Sequence, residues 1–215
     1  MKITRNLLTL LAVTGFIISP TAAIADASHK STSPPIWTFA AQPPAGETKL
    51  VRTPNGLTAQ FKTTGLTAGH AVTLWIMFFD NPEACAAALC DPAVDIGQNG
   101  VRFDFHYAGG HIVNAAKTTL TGHLQTGELS TSGWAELGSP LQTALTNPEG
   151  AQVILAIHSH GPAQQGTTLA AQMSSYTGGC VLPFLGDGAG FAESAADIPA
   201  NAGECSTIQM AFHNP

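Results

Sequence analysis

The chain has 215 residues, with 8 basic against 14 acidic side chains, 8 histidines, 4 cysteines and a formal net charge of −6. Only 10% of residues are charged while glycine (22) and proline (14) are many, a composition of short strands joined by turns rather than of long solvated helices. Its acidity disfavours phosphate backbones and anionic lipid, which sets nucleic acid and membrane surfaces aside as partners.

Residues 1–5 carry two basic side chains, Lys2 and Arg5, the run 7–18 is apolar, and 20–27 carry small residues around two cleavage points, after Ala25 or after Ala27. This is the three-part pattern of a secretory signal peptide, and its apolar run is shorter than the roughly 20 residues that cross a bilayer. The expectation is a signal over 1–25, a periplasmic or secreted product, and no membrane span in the mature form. With Lys2 and Arg5 removed, 6 basic residues face 14 acidic ones, a net charge of −8. About 190 mature residues suffice for one core-bearing domain, expected over 36–215 behind a leader, 26–35, without apolar period.

Residues 49–52 and 57–62 read as strands around Thr53-Pro54-Asn55-Gly56, where Asn-Gly marks a hairpin turn. The run 70–79 is apolar on both alternating faces, as in a central strand covered on both sides, and stops at Asp80-Asn81-Pro82. Val101, Phe103, Phe105 and Tyr107 alternate with polar residues, so a half-buried strand sets His106 on its polar face, and Gly109-Gly110 breaks that strand before His111. Segments 118–124 and 132–135 read as further strands and 139–145 as a helical turn. Residues 151–160 form a strand stopped by Gly161-Pro162, 168–176 another, and 205–212 a closing strand with Ile208, Met210 and Phe212 on one face. The expected class is all-β, a single antiparallel sandwich of immunoglobulin-like or related type, with a closed barrel as runner-up.

Four cysteines in an exported chain read as two disulfides, for which three pairings exist. Cys85 and Cys90 are neighbours in one loop and pair with each other, leaving Cys180 with Cys205, a tie that contributes about 3 kcal/mol by loop closure.

His158 and His160 stand two apart on one strand, so both leave the same face about 6–7 Å apart, within chelating reach of one copper or zinc ion. A pair fills half of a tetrahedral shell. His111 and His106 are the candidate partners, His70 and His123 the reserves, and Asp104 a candidate carboxylate behind a ligand. A histidine brace would need His29 at the mature N terminus, which puts Asp26 where signal cleavage needs a small residue. There is no Gly-x-Ser-x-Gly elbow and no His-Glu-x-x-His helix, and Glu128, Glu136 and Glu149 read as solvating groups near turns, so no catalytic residue is assigned.

The segments 74–85, ending Asp80-Asn81-Pro82-Glu83-Ala84-Cys85, Tyr107-Ala108-Gly109-Gly110-His111, and His158-Ser159-His160-Gly161-Pro162-Ala163 to Gly178-Gly179-Cys180 resemble a family of exported bacterial proteins without assigned activity. The resemblance covers most of the mature chain and implies a shared site at His111 and His160, with His158 peripheral. His-Ser-His-Gly-Pro-Ala is also locally similar to the His-x-His-x-Gly-Pro stretch of chordin-type (CHRD) domains.

Two functions follow as expectations. One is a non-catalytic module binding a small ligand or protein partner through loops 80–100 and 181–203, since long loops on a rigid scaffold carry binding. The other is a copper- or zinc-binding protein using His111 and His160 with His158 or His106.

Overall fold

A computed structural model describes residues 30–38, 46–180 and 205–215. The signal expected over 1–25 with its expected cleavage points, His29 and the loop 181–203 lie outside the described residues. Among the described residues, nine strands form two antiparallel sheets. β1 (Lys30–Thr32), β3 (Gly46–Thr53), β4 (Gly56–Thr64) and β7 (Lys117–Gln125) make one, in the order β1-β3-β4-β7. β2 (Trp37–Thr38), β5 (His70–Phe79), β6 (Phe103–Ile112), β8 (Gln152–Pro162) and β9 (Cys205–His213) make the other, in the order β2-β9-β8-β5-β6. The fold is the all-β sandwich expected, and neither sheet closes into a barrel.

Two apolar layers explain why β5 is buried along nearly its whole length. Between the sheets, Leu50, Leu57 and Phe61 meet Leu74, Ile76, Phe78, Leu155 and Ile157. On the outer face of the five-stranded sheet, Trp75, Met77, Phe79, Phe105 and Ala156 pack under Trp134, Tyr176 and Ile96 from the connecting segments. The sheet is thus covered on one side by its partner and on the other by loops, and its central strands β5 and β8 are apolar on both faces.

Both disulfides are formed, Cys85 to Cys90 and Cys180 to Cys205. The 80–100 loop is pinned rather than adaptable. The Asp95 carboxylate accepts from Ala86 N at 2.8 Å and Asp91 N at 2.7 Å, and the Gln152 amide bonds Cys90 N and Cys90 O.

Several local expectations differ from the structure. Lys30–Thr32, expected in the leader, pairs with β3, because edge pairing uses backbone groups and needs no apolar period. Thr53 pairs with Gly56, so Pro54-Asn55 is the hairpin loop and Gly56 opens β4 at φ 148, with Leu124 O only 2.1 Å from where a Cβ would stand. β6 runs through Gly109-Gly110. Residues 132–135 are turns, 139–145 holds a turn at 140–141, and 168–176 lies mostly in helix α2 (Gly166–Gln172), with a second short helix, α1 (Pro92–Asp95), in the 80–100 loop. In β9 a register shift opposite Ile157/His158 takes Ile208 out of phase: it packs between the sheets, whereas Met210 and Phe212 join the outer layer.

Candidate metal centre

β8 projects His158 and His160 from its outer face, the face shared with Thr73 of β5, which lies opposite His158. On the other flank, β9 sets Thr207 opposite His158 and Cys205 opposite His160. The two rings meet edge to face with centroids 5.0 Å apart. After α2 the chain folds back over them, bringing Tyr176, Gly178 and Cys180 onto the pair.

His160 is fully buried, and both its nitrogens are engaged. Nδ1 lies 2.9 Å from Gly178 O and Nε2 lies 2.9 Å from Thr73 Oγ1, which also accepts from Trp75 Nε1 at 2.7 Å. A carbonyl only accepts, so Nδ1 carries the proton and Nε2 accepts from the Thr73 hydroxyl. Burial pushes the His160 pKa down to about 4, outweighing the opposite pulls of Gly178 O and Glu136, and the ring is neutral.

His158 is in the opposite position. It is 4% exposed, yet neither ring nitrogen has a hydrogen-bond partner among the described residues. Burial first, then the neighbouring His160, holds its pKa well below the usual histidine value, so it keeps a free lone pair at neutral pH. A buried polar ring left unpaired costs free energy and calls for a partner.

The remaining wall is sulfur. Cys180 Sγ lies 3.7 Å from His160 Nδ1, and one ligand atom from each of His158, His160, Cys180 and Cys205 falls within 4.8 Å of all the others. Two histidines and two cysteines are a donor set for zinc or copper when the sulfurs are thiolates; as the Cys180–Cys205 disulfide they are bonded to each other instead.

The chain matches no known protein family, no curated protein and no solved structure.

The four histidines expected as ligands do not converge. His106 sits opposite Ile76, and Asp104 and Ala108 share its side of β6, towards the four-stranded sheet. A bulge between Leu74 and Trp75 shifts the phase of β6, so His111 lies opposite Val72, an inter-sheet residue, and falls on that side as well. The five-stranded sheet therefore stands between this pair and His158 with His160. His106 is nevertheless buried, with Nε2 lacking a hydrogen-bond partner among the described residues and lying 3.9 Å from Asp104 Oδ2, beyond hydrogen-bond range. Burial lowers the His106 pKa to about 4 and raises that of Asp104 to about 6. Asp104 is held by Phe105 N and Thr143 N. His106 and His123 border a cleft of about 330 Å3 that includes neither His158 nor His160. Cys85, Cys90 and Asp95 also cluster, but the sulfurs are bonded together and the Asp95 carboxylate is taken by two backbone amides.

Sequence reasoning missed Thr73, Tyr176 and Glu136. Glu136, expected only to solvate a turn, accepts from Tyr176 N at 2.8 Å, Thr177 N at 2.9 Å and Thr177 Oγ1 at 2.6 Å, fixing the segment that covers the histidines. A usable signal did exist for the sulfurs: antiparallel pairing of the closing strand with the histidine strand sets Cys205 beside His160.

Proposed function

We propose that the protein is an exported, non-catalytic copper- or zinc-binding module whose metal ligands include His158 and His160. The observation that carries this reading is His158: a neutral imidazole, 4% exposed, with both nitrogens unpaired among the described residues, next to a second histidine and two sulfurs. Export to a periplasmic or extracellular destination is supported by the pattern of residues 1–25 and by two disulfides, which persist in oxidising compartments. No helix among the described residues is long and apolar enough to cross a membrane. Binding of a small ligand or protein partner through the 80–100 loop has less support, because that loop is held by a disulfide and by side-chain bonds from Asp95 and Gln152.

The test is metal content of untagged mature protein, loaded with zinc or copper in a thiol-buffered medium and washed. One retained equivalent that disappears in His158→Ala but persists in His111→Ala supports the assignment. Retention unchanged by His158→Ala, or no retention by the unaltered protein, removes it.

A further inference from the structure

We propose that the Cys180–Cys205 disulfide is a redox lock on this site, and that its reduction creates a two-histidine, two-thiolate centre for one zinc ion. The inference rests on the metal-binding reading above and names its ion and its control.

Four observations converge on it. The sulfurs and the two imidazoles form one cluster, with the four ligand atoms within 4.8 Å of each other. A tetrahedral zinc with bonds of about 2.0–2.3 Å needs its ligand atoms about 3.3–3.8 Å apart, so small side-chain rotations suffice once the sulfurs separate. The disulfide is partly exposed at both cysteines while the histidines behind it are buried, so a reductant reaches the sulfurs first. His158 has no other partner among the described residues to give up. His160 has a neighbour placed to support it: when Nδ1 gives up its bond to Gly178 O and turns its lone pair to the metal, the proton moves to Nε2, which then donates to Thr73 Oγ1, the kind of bond that orients a ligating histidine. Two nitrogens and two thiolates in a tetrahedron select zinc.

The step balances with a dithiol as reductant. Its thiolate attacks one sulfur, the Cys180–Cys205 bond breaks, and two electrons pass to the protein. The dithiol leaves as its own disulfide and each cysteine takes one proton. Zinc then displaces both protons to solvent as the thiolates bind. Reoxidation by a small disulfide, which takes up the two electrons and leaves as two thiols, reverses the sequence and expels the ion.

The experiment uses the mature chain carrying Cys85→Ser and Cys90→Ser, with folding checked by circular dichroism, so that one disulfide remains. Oxidised and dithiol-reduced samples are titrated with zinc against a competing chelator, and the reduced sample with cobalt. The lock predicts one tight equivalent in the reduced sample only and a tetrahedral cobalt spectrum with thiolate charge-transfer bands. Thr73→Val should weaken that affinity about 10–100-fold, as loss of an outer partner does. Equal zinc affinity in both redox states, or a reduced Cys180→Ser/Cys205→Ser chain that binds as well, overturns the lock and leaves a histidine-based site standing. Zinc bound by neither state overturns both readings. If the two serines prevent folding, the unaltered chain is titrated in both states with Cys180→Ser/Cys205→Ser as the control, and the same outcomes decide.

Discussion

His158 lies nearly flat against Tyr176, with ring centroids 4.4 Å apart and planes 27° from parallel. The same tyrosine meets Trp75 and Phe105 edge-on at 5.1 and 5.0 Å, so one aromatic ring seals the histidine pair on one side and closes the outer apolar layer on the other. Its position depends on Glu136, whose carboxylate collects the amides of Tyr176 and Thr177.

Replacing Glu136 by Gln should therefore act on the histidines from a distance. A Gln offers one acceptor oxygen where the carboxylate offers two, and losing bonds to a charged acceptor costs about 1.5–3 kcal/mol. The expected result is a lower urea midpoint and faster amide exchange at Tyr176 and Thr177, with exchange in β3 and β4 unchanged at low urea. Unaltered exchange at 176–177 would mean that this carboxylate does not hold the covering segment.

Truncating the ring is more severe. Tyr176 is 6% exposed and packs in the outer layer, so Tyr176→Ala should cost about 3–5 kcal/mol, as large aromatic deletions do. Tyr176→Phe keeps the stack and loses only the hydroxyl's bond to Thr207, a change of about 1 kcal/mol. Chemical denaturation of the two variants side by side separates packing from hydrogen bonding; similar losses in both would contradict the packing role.

These dependencies mark the limit of what the chain discloses when read linearly. β5 and β8 were legible because a strand covered on both faces carries apolar residues on both, and 74–79 and 153–157 are unbroken apolar runs. The disulfides were legible because Cys85 and Cys90 sit in one short loop, which leaves a single partner for each remaining cysteine. The histidine partners were not: His106 faces the four-stranded sheet in regular register, because alternation does not tell which side of a strand meets the partner sheet, and one bulge opposite Leu74/Trp75 carries His111 to that side as well. Helix α2 was missed because its threonines suit a strand, whereas its place is fixed by tertiary bonds: Gln172 Nε2 donates to His160 O and Pro162 O. Glu136 and Tyr176 gain their roles only when residues 40 apart meet, which no local period records.

His213 makes the stability of the protein pH-dependent. It is 1% exposed between Thr32 Oγ1 at 2.7 Å and Thr48 Oγ1 at 3.1 Å; burial, then the charge of Arg52, lowers its pKa to about 4. The unfolded chain, with a histidine pKa near 6.5, takes up the proton first, so stability is complete above about pH 6.5 and declines as pH falls towards 4. The full effect of this ring is on the order of 3 kcal/mol. Urea midpoints from pH 7.5 to 4.5 should fall less steeply in His213→Gln than in the unaltered chain, and identical slopes would refute the assignment.

Arg52 is fully buried, and among the described residues it has no carboxylate partner. Its Nη1 donates to Pro148 O and Ala151 O, both at 2.7 Å, and its Nη2 to His213 O at 2.9 Å and Asn214 O at 3.2 Å. One guanidinium thus ties the start of β8 to the end of β9, and burial lowers its pKa to about 10. Arg52→Met removes every donor and leaves four carbonyls to rearrange, for an expected loss of more than about 3 kcal/mol. Arg52→Lys should fall between, because an ammonium cannot reproduce the planar fork. Equal stability of Lys and Arg in thermal melts at neutral pH would show that charge alone suffices there.

Gly110 decides whether the covering segment can approach β6 at all. A Cβ built on it would stand 2.3 Å from Met173 O and 3.0 Å from Met173 Cε, and Met173 O is itself held by the Tyr107 hydroxyl. Backbone must therefore move, which forces the segment leading to Tyr176 away from the sheet. Gly110→Ala should cost about 1–3 kcal/mol by overpacking and weaken the near-ultraviolet signal of the Trp75–Tyr176 contact. Gly127→Ala is the control. Its Cβ would meet nothing within 4 Å, and only its positive φ of 82° resists the change, for about 1–2 kcal/mol without effect on that signal. If Gly110→Ala left the aromatic signal intact, the close approach of Met173 to β6, and with it the lid over His158, would have to be abandoned.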